Sequence, residues 1–253
     1  MNYIQTCKDT IRILRTTKLA WVFGLLSLLT TITDPLSKLV SDNPLSFFIY
    51  IPVSLAIMCF SLIGAGGFIY VIYQKTLGQN FTFSDAWFHS KTKFFSILVS
   101  LFPATFLAFL ISMVLKYALP NPSFHWYITF IAGWFSGSII IFSMCAIIIN
   151  NVKTVSALQT GFIIAIRNFF HVLIIACTAR VINSFFASLL IGILRVFNYS
   201  ATQKIMNIPI QSTAAWILFR ILMVPTTVFL ILAYLKFTEQ VSYPALSNQQ
   251  NAA

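Results

Sequence analysis

Charge is what this sequence has least of. Asp, Glu, Lys and Arg make up 8% of its 253 residues, where a water-soluble domain carries about 25%. That shortage excludes an ordinary soluble globule, because too little polar surface exists to face water. Acids are the scarcest of all: Asp9, Asp34, Asp42, Asp85 and Glu239 are the whole set. None lies deep in an apolar run, and no two stand at a spacing suited to paired acid–base work, which argues against carboxylate catalysis and against proton coupling through an intramembrane acid. HExxH, GxSxG, Walker A and GxGxxG are all missing. An enzyme is therefore not expected, and neither is a cofactor or a metal. Cys7, Cys59, Cys145 and Cys177 fit no zinc or redox spacing, and the three that fall inside apolar runs, Cys59, Cys145 and Cys177, read as packing residues. His89, His125 and His171 stand apart near the ends of apolar runs and read as interfacial.

Hydrocarbon is what the chain has in plenty. Hydrophobic residues make up 58% of it, Phe alone supplies 26 positions, and the mean hydropathy is +0.88. Six apolar segments run over about 19–40, 45–73, 94–119, 124–149, 169–196 and 208–236, and repeated runs of this length suit a hydrocarbon core of about 30 Å. Asp34 and Pro35 interrupt the first, so its core is nearer 19–33. It lacks the small-residue end of a cleavable leader and is expected to be retained. Pro52, Pro103 and Pro225 are expected to kink their helices. Trp21, Trp87, Trp126 and Tyr127 suit an interfacial aromatic belt.

Residues 154–196 read as nearly unbroken helix of about 64 Å, twice what a single span needs. The early part, TVSALQTGFIIAIRN, is expected to lie along the interface before the chain turns inward near Arg167–Asn168. Two other segments look alike. Near the start, Ile4, Cys7, Ile11 and Leu14 recur at helical spacing opposite Lys8, Arg12 and Arg15, as in an amphipathic surface helix. Before the third apolar run comes FTFSDAWFHSKTKFF, where Ser84 or Asp85 can cap a short helix, Phe83 and Trp87 share a side, and Lys91 and Lys93 mark the water boundary. Comparing TFSDAWFHSKTKFFSIL with TVSALQTGFIIAIRNFFHVL, both run Thr-x-Ser into a helix, then a basic residue with Phe-Phe, then a span.

The expected fold class is all-α: a polytopic membrane helical bundle of about six transmembrane helices, as three hairpins each preceded by an amphipathic surface helix. A single domain would cover 1–239, with units over about 1–73, 80–149 and 154–236, and 240–253 would be a flexible polar tail. The net charge of +11 collects at the ends of apolar runs, which points to topology and anionic lipid rather than to nucleic acid. Lys8, Arg12, Arg15, Lys18, Lys75, Lys91, Lys93, Lys153, Arg167 and Lys236 fall on one side. Lys38, Lys116, Arg195 and Lys204 fall on the other. Both ends of the chain are then expected in the cytoplasm, with all three surface helices on the anionic inner leaflet.

Arg180 and Arg220 resist that account, because each counts to near the midplane, where an unpartnered guanidinium costs several kcal/mol. Asn183 is one turn from Arg180. Two readings stand: a cationic, water-accessible pocket for an anionic group formed by Arg180, Asn183 and Arg220, or arginines that bond backbone carbonyls and snorkel to the surface. Gly133-x-x-x-Gly137, with Gly64, Gly66 and Gly67, is expected to serve close helix packing.

With the three units in view, the chain resembles the YciC-like bacterial six-span proteins and the related membrane domain attached to some glycerophosphodiester phosphodiesterases. The resemblance covers about 5–238 and is carried by FTFSDAW, KTVSALQTGFIIAIRNFFHVL and the AYLKF ending. It implies an all-helical inner-membrane protein. In the fusions a separate soluble domain holds the active site, and no segment here is long and polar enough to hold one. The expected role is binding of membrane lipid, of a partner membrane protein, or of another copy of the chain. The competing expectation is a transporter or permease subunit.

Overall fold

The computed structural model describes residues 2–29, 44–118, 122–196, 204–205 and 208–239. Asp34, Pro35 and the tail 240–253 lie outside them. The fold is helical. Among the described residues there are nine helices: α1 (Tyr3–Thr16), α2 (Lys18–Ser27), α3 (Pro44–Thr76), α4 (Phe83–Thr92), α5 (Phe94–Ala118), α6 (Pro122–Ile149), α7 (Thr154–Arg167), α8 (Phe169–Val196) and α9 (Ile210–Glu239). A two-residue antiparallel pairing, Lys204–Ile205 with Ile208–Pro209, precedes α9. Tyr50–Thr76 in α3, Ala132–Ile149 in α6 and Phe169–Phe186 in α8 are long and apolar enough to cross a membrane. The first apolar segment is helical over Lys18–Ser27, ten residues, or about 15 Å, half a hydrocarbon core.

The short helices start and stop for local reasons. Asn2 caps α1, its side chain accepting from Gln5 N at 3.1 Å. Thr82, not Ser84 or Asp85, caps α4. Asp85 N donates to Thr82 Oγ1 at 3.2 Å while the Asp85 carboxylate accepts from Thr82 N at 2.8 Å, a reciprocal pair that satisfies two orphan donors. α1, α4 and α7 are each separated from the next helix by a single residue: Thr17, Lys93 or Asn168. The break at Asn168 is the one that the length of 154–196 requires. The prolines Pro52, Pro103 and Pro225 sit inside continuous helices.

Helix packing repeats with a period of three elements. α2 packs on α3, α5 on α6 and α8 on α9. Each short helix packs on the last long helix of the preceding set: α4 on α3, α7 on α6, and α1 on α9. The order is cyclic, because the first short helix closes on the last long one. α3, α6 and α9 also touch one another, and Phe142, Ile147, Ile231, Tyr234 and Phe237 are buried in the core they help to form. Phe142 lies between the Tyr234 and Phe237 rings, with centroids at 6.0 and 6.3 Å. α5 and α8 carry large exposed apolar side chains, among them Phe95, Phe102, Phe106, Phe170 and Phe185. Contiguous apolar surface of this kind suits a hydrocarbon surround.

Four polar links tie the short helices α1 and α4 and the ends of α6 and α9 to one another. His89 Nε2 lies 3.2 Å from Ile148 O, and Lys93 Nζ donates to Asn151 Oδ1, so α4 meets the end of α6. Asn150 Nδ2 donates to Tyr234 Oη at 2.9 Å, joining the end of α6 to α9. Lys236 Nζ donates to Thr6 Oγ1 at 2.8 Å, joining α9 to α1.

Candidate functional site

The short helices meet their neighbours through one recurring device. Four and eight residues after each cap, at Asn2, Thr82 and Lys153, stand two small buried residues: Thr6 and Thr10 in α1, Ala86 and Ser90 in α4, Ala157 and Gly161 in α7. Residues four apart share a helix face, so each pair forms a shallow strip for close approach. At α7 the approach is closest. A Cβ on Gly161 would meet Ser143 Oγ and would come within 2.7 Å of Ile139 O. At α4, Ser90 Oγ donates to Ile63 O at 2.6 Å and fills the space over Gly66.

In α1 the face buried against the rest of the protein is not the apolar stripe of Ile4, Cys7, Ile11 and Leu14, though Leu14 belongs to both. Thr6, Thr10, Ile13 and Leu14 are buried, whereas Ile4 is 71% and Ile11 66% exposed. The threonines can turn inward because their hydroxyls donate to Asn2 O and Thr6 O, each at 2.9 Å, so burial leaves neither unsatisfied. Ile4 and Ile11 stay largely exposed, Ile11 at the edge of the cavity that α1 leaves against α8 and α9.

Thr6 and Thr10 are bulkier than the alanine–serine and alanine–glycine pairs. Where α1 closes on α8 and α9, a cavity of about 390 Å³ remains. Its walls are apolar: Tyr3 and Cys7 from α1, Ile175 and Ala179 from α8, Pro225 and Phe229 from α9. Tyr3 forms one end, stacked against His171 and Phe229 with centroids 5.8 and 6.5 Å away. Burial pushes the Tyr3 hydroxyl up from its ordinary value, so it stays neutral.

The residues expected to form an anion pocket stand near the cavity lining in the chain. Arg180 and Asn183 follow the lining residues Ala179 and Ile182 in α8, and Arg220 precedes Pro225 in α9. The side chains of Arg180, Asn183 and Arg220 lie outside the described residues. The glycines behave unequally. A Cβ at Gly64 would come within 2.8 Å of Ser27 N, and one at Gly67 would strike the Phe23 ring, so both serve the α2–α3 contact. At Gly133 and Gly137 a Cβ would meet nothing within 4 Å, and the close approach to α6 comes at Gly161 instead. No cluster of His, Cys, Asp or Glu that could hold a metal occurs among the described residues.

No family model, curated protein or solved structure matches the chain. The geometry therefore carries the functional reading by itself. Sequence patterning missed the Thr6/Thr10 strip, although its spacing from the cap repeats in all three short helices.

Proposed function

We propose that the chain is a non-enzymatic integral protein of the bacterial cytoplasmic membrane that binds anionic phospholipid of the inner leaflet. In this reading the three pairs α2–α3, α5–α6 and α8–α9 are membrane hairpins, giving six spans with both termini in the cytoplasm. The short helices α1, α4 and α7 lie on the leaflet surface. Membership of the YciC-like group belongs to the same proposal and rests on FTFSDAW, KTVSALQTGFIIAIRNFFHVL and AYLKF.

The observation that carries it is the charge at one end of the bundle. The short helices and the chain ends tied to them hold Lys8, Arg12, Arg15, Lys18, Lys75, Lys91, Lys93, Lys153, Arg167 and Lys236. The acids over the same stretches are Asp9, Asp85 and Glu239. Arg12–Asp9, at 3.1 Å, is the one ion pair among the described residues. Cations outnumber acids severalfold at these positions, which leaves an excess of positive charge for phosphate. A basic residue near an anionic leaflet contributes about 1 kcal/mol.

The test is reconstitution in bilayer discs of phosphatidylcholine with and without phosphatidylglycerol. Phosphatidylglycerol should raise the melting temperature at low salt, and the gain should shrink as salt screens the surface. A melting temperature indifferent to phosphatidylglycerol at every salt concentration sinks the proposal.

A further inference from the structure

We infer, on the reading that α8 and α9 cross the bilayer, that the cavity beneath α1 holds one acyl chain of a membrane phospholipid, with its headgroup at the Tyr3 end. At this cavity the cyclic packing is left incomplete. At α7, Gly161 seats on Ser143, and at α4, Ser90 fills the space over Gly66. At α1, Thr6 and Thr10 occupy the equivalent positions, and about 390 Å³ stays empty of protein.

Shape and chemistry both fit a hydrocarbon chain. The α8 wall runs from Ile174 to Ile182, a rise of about 12 Å. One leaflet of a hydrocarbon core of about 30 Å is about 15 Å deep, so the slot is as deep as a chain entering from one side. Aliphatic and aromatic groups dominate its walls, and Thr10, a polar exception, already spends its hydroxyl on Thr6 O. A polar solute would find few partners there. The Tyr3 end is different. His171 stacks on Tyr3, and Lys236 reaches Thr6, one turn along α1, where its ammonium donates to a neutral hydroxyl. A phosphate at that end would meet a cation just where the chain below it enters apolar walls. A second copy of this chain would have to supply a slender apolar projection with an anionic end, and acids are the residues this sequence has least of.

The experiment uses the full chain in bilayer discs containing phosphatidylglycerol with a photoreactive diazirine in one acyl chain. Peptide mapping after irradiation should find severalfold more label on Ile174–Ile182 and Pro225–Phe229 than on the exposed α5 face at Phe102 and Phe106. Ala179→Phe, which fills the slot from α8, should remove the excess and leave the α5 label unchanged. Cys7→Phe fills it from the opposite wall and serves if the first variant does not fold. Label on the cavity walls no greater than on α5, or an excess that survives both fillings, overturns the inference. Efficient oxidative cross-linking of Cys7 between two copies, without excess lipid label, assigns the slot to a second copy and also overturns it. If instead α8 and α9 do not cross the bilayer, the outward Phe170 and Phe185 will be unlabelled too, which separates that failure from failure of the cavity assignment.

Discussion

The ammonium of Lys236 donates to the hydroxyl of Thr6 at 2.8 Å, linking side chains 230 positions apart. Through this bond the last long helix holds the first short one, and the cyclic packing closes. Thr6 Oγ1 also donates to Asn2 O at 2.9 Å, so the hydroxyl stays satisfied if the lysine is lost.

Replacing Lys236 by Met should therefore loosen α1 without unfolding the bundle. One hydrogen bond is worth about 1 kcal/mol, which corresponds to about a fivefold rise in the population of locally opened α1. Hydrogen exchange at the α1 amides of Thr10, Ile13 and Leu14, whose side chains are buried, reports on it. Their exchange rates in the variant should rise by about that factor, while amides in α6 keep theirs. Equal α1 exchange rates in both proteins would show that the bond does not hold α1.

Gly161 and the pair Gly133 and Gly137 should respond to alanine with opposite signs. At Gly161 the new methyl would press on Ile139 O, a backbone atom that cannot rotate away, and overpacking should cost about 1–3 kcal/mol. At Gly133 or Gly137 the methyl would meet nothing within 4 Å, and the gain in helix propensity should stabilise by up to about 1 kcal/mol. Melting of the detergent-solubilised variants distinguishes these outcomes.

The α4 cap should weaken in acid. Hydrogen bonds from the Thr82 side chain, and then from its backbone N–H, hold the Asp85 carboxyl below its usual value of 3.8. A depressed folded value means that the stabilisation is complete above the unfolded value and is lost as pH falls through the folded one. Hydrogen exchange at Phe83, Ser84 and Asp85 should be slower in the wild type than in Asp85→Asn at pH 6. The two proteins should converge well below pH 3.8. A difference that persists unchanged in acid would dissociate Asp85 ionisation from the cap.

Phe142 and Phe102 separate packing from mere hydrophobicity. Phe142 is fully buried against Tyr234 and Phe237, and Phe142→Ala should cost about 3–5 kcal/mol. Phe102 is 68% exposed, so Phe102→Ala should leave melting nearly unchanged. Similar losses at both positions would mean that the α5 face is covered.

Much of the helical framework was legible along the chain. The turn at Asn168 follows from length, because one span cannot absorb 43 residues. Phe83 and Trp87 share a side of α4, as their spacing requires, with ring centroids 5.9 Å apart. The site was far less legible. The small pairs at Thr6/Thr10, Ala86/Ser90 and Ala157/Gly161 look like ordinary residues of low bulk until their partners on other helices are known. The α1 stripe of Ile4, Cys7, Ile11 and Leu14 reads from sequence as the apolar face of a surface helix, and it gives no sign that Thr6 and Thr10 turn inward instead.

By itself the sequence determined the solvent, because a chain with 8% charged residues and long apolar runs has too little polar surface to face water. It also determined local helix starts and breaks, since caps and turns depend on residues within a few positions of each other. Only the tertiary structure decided which face of α1 turns inward, that Gly161 rather than Gly133 and Gly137 meets a neighbour closely, and that the unfilled space lies beneath α1. Each of those outcomes depends on the side chain facing a residue from another helix. The contact between Thr6 and Lys236 joins opposite ends of the chain, and no local pattern can specify it.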